Sequence, residues 1–137
     1  MIVIDKKACL TDELINEWSE EAEDIYAQAL GLNNAETLKV KLGTEEVLLR
    51  FRDCYGTGEP CRFKCIRTRN AIKFTIQQRG LRQNPMDTEE SPYFDFLRYM
   101  NLNPSYTYHE KQSLNTIRFP IRSGKGRMLF LYSWLRQ

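Results

Sequence analysis

Four cysteines, Cys9, Cys54, Cys61 and Cys65, and the single histidine, His109, are the side chains best suited to soft-metal ligation or nucleophilic catalysis. Their spacing supports neither. The cysteines form no CxxC pair and no recognisable disulfide framework, and no serine or cysteine shares an interpretable motif with His109, so the thiols read as free and buried. The glycine pairs in Gly56-Thr57-Gly58 and Gly124-Lys125-Gly126 lack the spacing of a phosphate-cradling loop and read as turns. Glu45 stands at the head of an apolar-periodic run, where the positive end of a helix favours a carboxylate. On its own it is a helix N-terminal acid rather than a general base.

Composition bounds what these residues can belong to. A chain of 137 residues, 42% apolar and 28% charged, is long enough for one core and too short for two ordinary domains. The formal charge of +2 is the difference between 20 basic and 18 acidic side chains, which argues against a dedicated nucleic-acid binder. The charges are segregated: acids gather between Asp12 and Asp24, whereas Arg118, Arg122, Lys125, Arg127 and Arg136 load the C-terminal end. No stretch approaches the roughly 20 apolar residues of a membrane-spanning helix, and the first residues lack a signal-peptide pattern, so a cytoplasmic location is expected.

The periodicities then assign elements. Thr11 is a helix N-cap, with Asp12 and Glu13 in the first turn and Leu14, Ile15, Trp18, Ala22, Ile25, Tyr26 and Ala29 at helical spacing up to Gly31. Its other side, Glu17, Glu20, Glu21, Glu23 and Asp24, reads as a solvated face. A second helical stretch covers about 35–54, with a break or kink expected near Gly43 and recapping by Thr44. Gly56, Gly58 and Pro60 form a turn. Alternating runs at 62–67 and 71–77, joined by Thr68, Arg69 and Asn70, predict a hairpin with Phe63, Cys65, Ile72, Phe74 and Ile76 on its buried face. A polar loop spans 80–91, and Ser91 and Pro92 open a short helix carrying Tyr93, Phe94, Phe96, Leu97 and Met100. Two further strands carry Tyr106 and Tyr108, then Ile117, Phe119 and Ile121, with 110–113 as the turn and Pro120 favouring an edge or a strand end. Residues 122–137 read as a basic linker followed by an apolar segment, either a capping helix or the start of a further region.

This order and these lengths resemble the histidine-kinase-type ATPase fold, the GHKL superfamily, and most of all its branch of anti-sigma-factor serine kinases. The run from Glu45 to Gly56 is similar to the family's first box, a helix that begins with a catalytic glutamate and often ends His-Ala-Tyr-Gly. The run from Ile72 to Pro85 resembles the second, a strand leading into Asp-x-Gly-x-Gly, and Tyr93 to Ile121 resembles the closing helix and hairpin. The fold implied is α+β, a two-layer sandwich with helices on one face of a mostly antiparallel mixed sheet, occupying residues 1–121.

The departures from the family pattern fall at its chemical positions. Where the resemblance implies a Mg²⁺-ligating asparagine stands Leu49, which offers no hard oxygen donor. Gln78 takes the place of the adenine-binding aspartate and lacks its charge. Gly80 keeps one of the two glycines that let backbone approach the base, and Arg82 replaces the other. The glycine-rich phosphate segment is absent from 89–94. Glu45 alone remains at a catalytic position.

The resemblance therefore implies a non-catalytic regulatory or interaction domain without a cofactor, contacting a protein partner or another part of the same polypeptide. A homodimer is one such arrangement, as is the soluble N-terminal part of a larger transporter or sensor reaching a membrane through its C-terminal continuation. The alternative is a Mg-ATP-binding serine kinase or anti-sigma-type regulator with altered ligands, using Glu45.

Overall fold

The computed structural model describes residues 1–30, 34–69, 71–86 and 104–122. Strand β1 (Ile2–Ala8) is followed by helices α1 (Asp12–Leu30) and α2 (Asn34–Tyr55). The hairpin β2 (Cys61–Arg67) and β3 (Ala71–Arg79) comes next, and the described chain closes with β4 (Ser105–His109) and β5 (Leu114–Arg122). The architecture is α+β: a five-stranded sheet of order β1-β2-β3-β5-β4, with both helices packed on one face.

Every strand pairing is antiparallel, where a mixed sheet was expected. The reason lies in the connection between β1 and β2. Helices α1 and α2 form an antiparallel pair, since Arg52 near the end of α2 pairs with Asp12 at the start of α1. Such an excursion returns the chain to the point it left. Ala8, the last residue of β1, accordingly lies opposite Cys61, the first of β2. β1 itself was not anticipated. Only Ile4 and Ala8 of its seven residues are even half-buried, so it lacks the apolar alternation of its neighbours.

α1 begins as the sequence predicts: the Leu14 amide donates to Thr11 Oγ1 at 3.1 Å, and Asp12 and Glu13 fill the first turn. Ile15, Trp18, Ala22 and Tyr26 form its buried stripe. α2 runs unbroken through Gly43, contrary to the expected kink. Val40, Gly43, Thr44, Val47, Leu48 and Phe51 are all buried, and packing of that stripe outweighs the roughly 1 kcal/mol helical penalty of one glycine. Thr44 does not recap the helix. Its hydroxyl is buried and makes no hydrogen bond.

The inner face of the sheet is layered in rows. Phe63, Ile76 and Ile117 form one apolar row, and Cys65, Phe74 and Phe119 the next. Trp18 stacks on Phe63 at 5.4 Å between ring centroids, Phe63 on Phe74 at 5.7 Å, and Phe74 on Phe119 at 5.3 Å. This continuous file of rings joins α1 to three strands, each ring burying area worth about 1.5–3 kcal/mol. Pro120 lies in β5, an interior strand, but beyond Arg118, the last residue that β4 reaches. Its missing donor therefore faces no described strand on that side. β5 continues through Arg122, where the composition predicts the start of a linker. The short helix expected from Ser91, with Tyr93, Phe96 and Tyr99, and the segment 123–137 lie outside the described residues.

Candidate functional site

Because the chain leaves and re-enters the sheet at one end, that end collects the termini of several elements. The close of β1, the start of α1, the last turn of α2, the start of β2 and the end of β3 all meet there. The row that crosses the sheet at this end is Ala8, Cys61, Gln78, Asn115 and Tyr108, and it differs in kind from the aromatic rows beside it. Two primary amides, Gln78 and Asn115, sit opposite one another with no exposed surface. Buried amides need partners, and each finds them on the loops that cap the sheet.

Gln78 Nε2 donates to the carbonyls of Gly56 at 2.9 Å and Glu59 at 3.1 Å, bracing the turn that joins α2 to β2. Gly56 has φ +77°, the left-handed conformation that ends a helix and favours glycine. Gln78 Oε1 is buried without a hydrogen-bond partner. Asn115 serves the other side. Its Nδ2 donates to Leu81 O at 3.2 Å and Gln78 O at 3.5 Å, while its Oδ1 accepts from Tyr106 Oη at 2.5 Å and from the Gln83 amide at 3.4 Å. A single side chain thereby holds the loop after β3 at both edges.

Tyr55 completes the closure. Its hydroxyl donates to Gln83 O, and its ring lies so close to Gly80 that a Cβ placed there would meet Tyr55 Cδ1 at 2.9 Å. Gly80 is thus required by an internal ring. Its amide donates to Ser113 O at 3.0 Å, and its carbonyl accepts from Tyr108 Oη at 3.5 Å.

The electrostatics of this end favour neutral groups. Burial pushes Tyr55 far above the ordinary phenol range, and Cys61 far above that of a thiol. Cys65, two rows further in, is pushed up to about 12 by burial. Tyr106 is raised by burial, less strongly opposed by a hydrogen bond with the backbone of Gln83 and by the charge of Arg82. Cys54 is raised by burial, against the attraction of Arg50. These are hydrogen-bonding and packing groups, not acids or nucleophiles poised near neutrality. Cys9, expected to be buried with the other thiols, is exposed, and Cys54 is half-buried. Among the described residues no group of three or more His, Cys, Asp or Glu is placed to hold a metal ion, and no helix is long and apolar enough to cross a membrane.

The five positions singled out in the sequence do not converge. Gln78 and Gly80 belong to the cluster. Arg82 follows them but turns outward, its guanidinium 5.9 Å from the centroid of the Tyr108 ring and 3.9 Å from Glu110 Oε1. Leu49 packs half-buried against the core. Glu45 lies ten residues before Tyr55 on α2, about 15 Å away along the helix axis. Its neighbour Glu46 is the carboxylate that burial raises, with Arg50 opposing. Asn115 and Tyr55 were not singled out as site residues. Asn115 carried a readable signal, since it occupies the inward phase of a strand that continues Ile117 and Phe119.

No protein-family model matches the chain, and no curated protein matches it.

Proposed function

We propose that the chain is a catalytically silent domain of the histidine-kinase-type ATPase fold that acts through protein contact. The order of elements supports the fold: an edge strand, two helices, a hairpin and, after residues 80–104, a closing hairpin, with both helices on one face of the sheet. The observation that carries the function is the state of Gln78. At the position where the resemblance implies recognition of a base, its amide nitrogen is committed to Gly56 and Glu59, and its oxygen has no accessible surface. The retained glycine supports the same reading, because the ring of Tyr55 accounts for it without a nucleotide. Leu49 offers no oxygen donor for Mg²⁺.

One observation favours the alternative of a nucleotide-sensing domain. Gln78 Oε1 is a buried acceptor without a donor, a group that an amino substituent of a base would satisfy if Tyr55 and the 80–86 loop moved aside.

Thermal unfolding with and without millimolar Mg-ATP and Mg-ADP separates the two. The silent domain shows no shift in its midpoint. Ligand at 100 times its dissociation constant would stabilise the fold by about 2.7 kcal/mol and raise the midpoint by several degrees, which would overturn the proposal.

A further inference from the structure

The face of the sheet turned away from the helices carries a charge pattern that the preceding reading does not use. One row across it runs Lys7, Arg62, Gln77, Thr116 and Thr107; the next runs Asp5, Lys64, Thr75, Arg118 and Ser105; a third holds Ile2, Ile66, Lys73 and Pro120. Arg79 extends the pattern on β3. Among the described side chains, six cations thus share this face with one acid, Asp5, which is consumed by Arg62 through contacts of 2.8 and 2.6 Å. Lys7, Lys73 and Arg79 are exposed, Lys64 and Arg118 half-exposed, and none of these five makes an ion pair among the described residues.

We infer that this face docks on an anionic lipid bilayer surface. Three features select that partner. The cations are spread over four strands around the buried Thr75 and Thr116, with same-face rows about 7 Å apart on strands about 4.8 Å apart, which matches an extended layer of phosphate headgroups better than a single anion. No described aromatic side chain stands in these rows, so the face has no platform for stacking nucleic-acid bases. Ile2, 57% exposed and opposite Ile66, adds an aliphatic border that can enter the interfacial region.

The far side of the domain fixes the orientation. α1 contains no basic residue, and its exposed Glu13, Glu17, Glu20 and Asp24 recur at intervals of four, three and four along one stripe. The helices cover the opposite face of the sheet, so attraction on one side and repulsion on the other turn the basic face toward a negative surface. The polar end row with Gln78 and Asn115 then lies at the side of the docked domain.

Co-sedimentation of the 137-residue chain with phosphatidylcholine vesicles, with and without phosphatidylglycerol, tests this directly. Binding is expected only to the anionic vesicles and should fall steeply as salt is raised. Each cation near such a surface contributes about fivefold in partitioning, so Lys64→Gln combined with Lys73→Gln should weaken binding roughly 30-fold while leaving thermal unfolding unchanged. Glu17→Gln with Asp24→Asn should leave binding intact or strengthen it. Equal binding to neutral vesicles, absence of binding, or undiminished binding by the lysine variant would overturn the assignment. So would salt-sensitive self-association that the α1 variant abolishes, which would give the face to the helix of a second copy.

Discussion

The middle of the inner sheet face and its end are built from the same strands on opposite principles. In the middle, Phe63, Phe74 and Phe119 stack in a file under Trp18, and each ring is held by many weak, non-directional contacts. At the end, Gln78 and Asn115 hold two loops through a few hydrogen bonds whose donors and acceptors have single destinations. The rings make the domain stable. The amides determine the shape of the surface presented at its edge. Both are directed inward there.

The largest effect that would test this contrast is expected in the middle. Phe74→Ala removes a ring stacked on both sides and should cost about 3–5 kcal/mol, read as a lower denaturation midpoint with amide protection lost across all strands together. Asn115→Ala should cost less, about 2–3 kcal/mol, and differently. It leaves the carbonyl of Leu81 and the hydroxyl of Tyr106 without their partner, so hydrogen exchange should accelerate first at 80–86 while β2 and β3 remain protected. Uniform loss of protection in both variants would erase the distinction between the two regions.

The smallest effect sharpens the account of Gly80. Gly80→Ala should cost about 1–3 kcal/mol because the new methyl meets the Tyr55 ring, and the cost should shrink in a Tyr55→Ala background. Additive losses in the double variant would mean that Tyr55 is not what makes glycine necessary there.

The ease with which each feature could be read from sequence follows the same division. α1, the β2–β3 hairpin and the β4–β5 pair are legible because their buried residues repeat at 3.6 or 2 with clear caps and turns. β1 is not legible, since an edge strand that only Ile4 and Ala8 bring against the core shows too little apolar alternation. The continuity of α2 through Gly43 depends on packing against α1, which local propensity does not contain. At the end row, Gln78 and Gly80 could be found as deviations from a motif. Asn115 required noticing a polar residue in an apolar phase, and Tyr55 required knowing that a ring 25 residues earlier comes to lie on Gly80.

The opposed pair Gln78 and Asn115 also specifies which alignment of β3 and β5 is allowed. Sliding β5 by two residues would preserve the inside and outside of the sheet and leave ring facing aliphatic, so the apolar rows alone discriminate weakly among such alignments. The same slide would carry the Asn115 amide opposite Ile76, among apolar side chains and away from Leu81, Gln83 and Tyr106. A pair of amides at one rung thus works as a key that only one setting of the two strands accepts, excluding misaligned sheets during folding as well as bracing the loops afterwards.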